Sequence, residues 1–205
     1  GGGTDIYLHN PHNTTLTVNY QNTTGSGSLS VPPNSTVSYF ALVGSQPPNN
    51  SSTYFKSTDG RVFWGVSAID RNGRDYDWSY SLVPAYLFEN EYFIGWAPAN
   101  ASLPPTGGDV NAGGIFLAPA RDNTQVFVDY DANGTVDSTY TLNRLQTIYL
   151  CDVDDSATCN TSGNPNTQND ADMSGAHIWA TGPFIAAYGQ NPQVATQTSG
   201  FDLGY

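Results

Sequence analysis

No stretch of this chain carries apolar residues at helical spacing; short β-branched and aromatic runs alternate instead with Asn, Gly, Pro and Ser. A helix buries a stripe recurring every three or four residues, whereas runs of four to eight residues bounded by turn chemistry read as strands. The first half reads as DIYLH (5–9), TLTVNY (15–20), SLSV (28–31) and TVSYFALV (36–43), broken by NPHN, QNTTGSG and PPN. TYFKS (53–57), RVFWGVSAI (61–69), YDWSYSLV (76–83) and YFIGWAP (92–98) follow. After a Gly- and Pro-rich stretch come IFLAPA (115–120), QVFVDYD (125–131), DSTYTL (137–142) and LQTIYLC (145–151). AHIWATG (176–182) and PFIAAYG (183–189) read as a last hairpin, and 190–205 as an extended tail.

This pattern predicts an all-β fold of antiparallel β-sandwich type with little or no helix, either one unit or two packed sub-sandwiches. The expected organisation is a first β-rich half over 1–98, a linker over 99–114 and a second half over 115–205. Apolar residues are only 38% of the chain, but aromatics reach 13%, and each buries enough area to sustain a core.

Six Lys and Arg stand against 18 Asp and Glu, for a net charge of −12. Such a chain repels phosphate backbones and anionic bilayers, which argues against nucleic acid as a partner and against membrane insertion. Nearly all the acids are Asp, the common short carboxylate of calcium loops. Cys151 and Cys159 flank the polar CDVDDSATC loop, where a disulfide fits better than two free thiols. Sequons at Asn13, Asn22, Asn34, Asn49, Asn50, Asn100, Asn133 and Asn160 also point outward. Asn13, Asn22, Asn34, Asn50, Asn100 and Asn160 are the candidate glycosylation sites, and the expected location is extracellular, at a cell surface.

The sharpest motif is VFVDYDANGTVD (126–137). Asp129, Asp131 and Asn133 alternate, Gly134 permits a tight turn, the Thr135 carbonyl follows, and Asp137 ends the series. This is the ligand spacing of the first nine positions of an EF-hand-type loop, set here in a hairpin rather than between helices. The expected ion is Ca²⁺; the competing reading is a metal-free Asn-Gly hairpin turn. Asp152, Asp154, Asp155, Asp170 and Asp172 form a weaker acidic group.

Catalytic signatures are sparse. His9, His12 and His177 lack zinc spacing, and there is no nucleophile elbow. Glu89 and Glu91, two apart on a strand, would share a face and could reach one sugar, or are simply exposed edge residues. Trp64, Trp96 and Trp179 lie within apolar strand text, which predicts burial; with Trp78 they could alternatively build a sugar-stacking platform.

The runs ALVGSQPPNNSSTYFKSTDGRVFWGVSAID, IFLAPARDNTQVFVDYDANGTVD and SGAHIWATGPFIAAYGQNPQVA together resemble the IgGFc-binding protein N-terminal domain family. The matching positions are the VFVDYDANG phrase and Ser174-Gly175, Ile178, Ala180, Pro183, Ile185-Ala186 and Gly189. The likeness covers roughly residues 40–205. It implies a β-rich module of large microbial surface proteins and adhesins, without catalytic residues. The expected function is thus a structural or adhesive surface module, stabilised by calcium and a disulfide, whose partners are neighbouring domains or copies of itself. The alternatives are a module binding carbohydrate or a host ligand, and, less favoured, an enzyme acting on polysaccharide.

Overall fold

The computed structural model describes residues 3–48, 50–70, 78–95, 97, 113–150 and 173–190. Strands β1 (Gly3–Asn10), β4 (Ser35–Ser38), β6 (Trp64–Asp70) and β7 (Trp78–Ser81) form one sheet in the order β4-β1-β6-β7. Strands β2 (Leu16–Asn22), β3 (Gly25–Val31) and β5 (Tyr54–Ser57) form a second, in the order β3-β2-β5. The third sheet takes β9 (Gly113–Pro119), β10 (Thr124–Asp129), β11 (Ser138–Leu142), β12 (Ile148–Leu150) and β13 (His177–Gln190), in the order β11-β10-β13-β9-β12. Strand β8 (Glu89–Phe93) also joins it by pairing with β13. Every pairing is antiparallel, so the fold is all-β as the sequence predicts.

Alternation produces the first core. Leu16 and Val18 of β2 and Leu29 and Val31 of β3 turn inward while their neighbours face water. The β2–β3 turn is tight because the Asn22 carboxamide oxygen accepts from the Thr24 and Gly25 amides. Ile6 and Leu8 of β1 meet these residues from the facing sheet, with Tyr39 closing the cluster. Burying each such aliphatic side chain contributes about 1.5–3 kcal/mol. The second core gathers Ile115, Leu117, Val126, Val128, Leu142, Leu150, Ile178 and Phe184, with Ala97, Met173 and Ala176 from the flanking segments.

The structure departs from the sequence reading in three places. The run 36–43 is not one strand: after β4 it turns into a short helix α1 (Tyr39–Val43). Ser38 caps it by accepting from the Ala41 amide, the Asp5 carboxylate accepts from the Phe40 amide, and Gly44 ends it in the left-handed region at φ 80°. The expected final hairpin is instead the single 14-residue strand β13, whose register shifts between Trp179 and Phe184. Gly182-Pro183 falls at that irregularity, where a residue without an amide hydrogen is tolerated. Trp64, expected inside, is 66% exposed, because it shares the outer face of its sheet with Tyr7, His9 and Val66.

A seam joins the two cores. Ser51 bridges Gln146, the Ser52 amide donates to the Leu145 carbonyl, and the Thr147 amide donates to the Asn50 carbonyl. Leu145 is buried yet holds φ 71°, a conformation that costs about 1–3 kcal/mol outside glycine and here aims its carbonyl across the seam. Among the described residues, no helix is long and apolar enough to cross a membrane.

Candidate functional site

The acidic motif lies between β10 and β11. The strands stay in register only as far as Val128↔Ser138, with the Asp137 amide donating to the Val128 carbonyl. Asn133-Gly134 is therefore not a two-residue hairpin turn but the tip of a wider loop, with Ala132 at φ 52° and Gly134 at φ 89°. The loop is wide because its side chains fold it back on itself. Asp129 accepts from the Asn133 and Gly134 amides, and Asp131 from the Asn133 amide and carboxamide. Asn133 accepts from the Thr135 amide, and Asp137 from the Tyr130 amide.

These bonds bring Asp129, Asp131 and Asp137 together, each with a carboxylate oxygen within 4.8 Å of the others. Asp129 is buried and the other two are exposed. Among the described residues no Lys, Arg or His forms an ion pair with them. At such separation three like charges repel one another, and the Tyr130, Asn133 and Gly134 amides work against that repulsion. A hard cation would remove the conflict, and the donor set suits one: carboxylate oxygens at the side, with the Thr135 carbonyl in the same loop. Of the five expected ligands, three side chains converge. The Asn133 side chain is spent on bonds to Asp131 and Thr135, which sets it apart from them.

The remaining sequence candidates fall as follows. Asn13, Asn34 and Asn50 are exposed, the last two at positive φ in turns. Asn22 is withdrawn as a glycan acceptor: it is buried, and its Nδ2, the atom a glycan would need, donates to the Tyr39 hydroxyl. Cys151, Cys159, Asn100 and Asn160 lie outside the described residues, as do Trp78's side chain, Trp96 and the acidic group 152–172. Of the proposed linker, Gly113 and Gly114 begin β9 and the rest is outside the described residues. Glu89 and Glu91 are both exposed on β8, but they pair with different parts of β13, on either side of its irregularity.

Of a second cluster the sequence reading named Glu91, His177 and Trp179 but did not bring them together. Register sets Phe93, His177 and Asp129 side by side on three adjacent strands, and Glu91, Trp179 and Phe127 beside them. Residues two apart on a strand share a face, so all six belong to the outer face, opposite Tyr92, Ile178 and Val128 of the core. The rings stack in sequence: Phe93 on His177 at 4.2 Å, His177 on Trp179 at 4.5 Å, and Trp179 on Phe127 at 5.7 Å. His177 Nε2 lies 2.7 Å from Glu91 Oε1. The signal was present as two aromatic-polar alternations, E-x-F and H-x-W, but nothing local says that segments 86 residues apart will pair.

No family model, curated protein or solved structure matches the chain. The functional reading rests on the acidic loop and on this aromatic face.

Proposed function

We propose that this chain is a non-catalytic structural and adhesive module of an extracellular surface assembly, with Ca²⁺ stapling the loop that joins β10 to β11. The observation that carries the reading is the convergence of Asp129, Asp131 and Asp137 without a cationic partner among the described residues. The acidic composition and the resemblance of residues 40–205 to surface-protein modules support it, as do the exposed sequon asparagines Asn13, Asn34 and Asn50. Its partners on this reading are neighbouring domains of the same surface protein, added at edge strands such as β3, β5, β11 and β12, whose backbone groups can accept a further strand.

The test is a thermal melt with calcium and with chelator, on the wild type and on Asp131→Ala. Asp131 is exposed, so its removal leaves the cores intact. An ion bound only by the folded state, at about 100 times its dissociation constant, adds about 2.7 kcal/mol. For a chain of this size that raises Tm by about 5–10 °C. The expected result is this shift in the wild type and its loss in Asp131→Ala. Identical melts in all four conditions would remove the metal from the proposal.

A further inference from the structure

Between the first half of β8 and the bend of β13 lies a shallow hollow of about 290 Å³, lined by Asn90, Glu91, His177, Trp179 and Ala180. It lies at the register shift: β13 pairs with β8 through Trp179↔Glu91, bulges over the next residues and rejoins it at Phe184↔Glu89. Phe93 adjoins this hollow at the edge of the sheet. One of its faces rests on His177 and the residue is 69% exposed, so the opposite face is open to solvent.

We propose that this face binds a neutral oligosaccharide, with one pyranose ring lying on Phe93 and a hydroxyl of the chain meeting Glu91. The chemistry selects this class. The face of a pyranose presents aliphatic C–H groups, which carry partial positive charge and suit the negative face of an aromatic ring. Its equatorial hydroxyls need acceptors and donors at the rim. Glu91 Oε1 is engaged by His177, which orients the carboxylate and leaves Oε2 to accept. The surroundings disfavour anionic alternatives. Asp129 lies beside His177 on the same face, Asp131 and Asp137 follow within the loop, and the chain carries −12 overall. With no cation in the loop, uronic and sialic acids, like phosphorylated ligands, would be repelled. The inference gives the adhesive part of the proposed function a ligand and rests on that reading, but it does not require the ion.

The experiment titrates the whole chain with oligomers of glucose, mannose and N-acetylglucosamine, and with oligogalacturonate as the acidic counterpart, by calorimetry and tryptophan fluorescence. Each titration is run with calcium and with chelator, on the wild type, Phe93→Ala and Glu91→Gln. Both substituted residues are exposed, and an unchanged melting temperature verifies their folding. The expected result is saturable binding of at least one neutral oligomer, weakened about 3–10-fold by Phe93→Ala and also reduced by Glu91→Gln. Binding of no neutral oligomer, binding of the acidic one alone, or equal binding by all three proteins would overturn the proposal. So would self-association of the wild type that Phe93→Ala abolishes, since the face would then be an interface between copies. A calcium shift in Tm that survives with no sugar binding sinks this inference alone; sugar binding without the calcium shift sinks the ion reading alone.

Discussion

A methyl group added at Gly65 would meet Leu82 Cδ1 at 2.5 Å, Leu82 Cγ at 2.9 Å and Leu8 Cδ2 at 3.0 Å. Leu8 is fully buried and Leu82 packs on the same core, so neither can withdraw without opening a gap. Gly65→Ala is therefore expected to destabilise by about 1–3 kcal/mol, read as a lowered denaturation midpoint at unchanged slope. Ionisable residues inside the fold set another limit. Burial pushes the Tyr149 hydroxyl well above the ordinary tyrosine range, and Tyr188 adds to the effect. Burial raises Tyr80 as well, against a hydrogen bond to Ser67 that lowers it. Below about pH 10 both folded and unfolded chains keep these phenols neutral, and their contribution to stability is fully present. As pH rises further the unfolded chain ionises first, binds fewer protons than the folded one, and gains in relative stability. Urea midpoints should stay level through mild alkali and fall above about pH 10, with a shallower fall in Tyr149→Phe. A fall that begins near neutrality would contradict this assignment.

At the scale of elements, some of the structure was plain in the sequence and some was not. The alternation of Leu16 and Val18 against Leu29 and Val31 specified β2 and β3, because a half-buried strand writes its own period of two. The spacing of Asp129, Asp131 and Asp137 specified which carboxylates converge, because ligands on alternate residues of a loop face one centre. The loop's width was not legible, since it depends on which amides each carboxylate captures. Helix α1 was hidden in an apolar run that suits a strand equally well, although Ser38 before it and Gly44 after it are its start and stop signals. Removing the serine oxygen leaves the Ala41 amide without its partner, so Ser38→Ala should cost about 0.5–2 kcal/mol. Ser38→Asp, which can cap equally well but faces Asp5, should recover less than Ser38→Thr in the same denaturation assay. The aromatic face was least legible of all, because it exists only after β8 and β13 have paired.

Across the whole molecule, the two cores communicate through a narrow set of contacts in which Arg144 is central. Its guanidinium donates to Gln21 Oε1 at 2.8 Å and lies 5.1 Å from the centre of the Tyr54 ring. One hydrogen bond and one cation–π contact together contribute about 1–2 kcal/mol. Arg144→Ala should therefore loosen the seam locally. The Ser52 and Thr147 amides, which bond across it, should exchange with solvent severalfold faster, while amides of β2 and β13 keep their protection. Equal acceleration everywhere would mean that the two cores unfold as one.

The arrangement of β1 and β13 bears on what the chain does when it is pulled. Each is an interior strand: β1 is held by β4 and β6, and β13 by β8 on one side and by β9 and β10 in succession on the other. Tension along β1 meets first Gly3–Ile6, paired with β6 alone, and only then Tyr7–His9, held by β4 and β6. Along β13 it meets first Ile185–Gln190, paired with β9 alone, and only then His177–Trp179, held by β8 and β10. Each strand therefore peels over its outer half before it has to slide past two neighbours. The seam at Leu145 is held by a few backbone hydrogen bonds, so under load it is expected to part before either core opens.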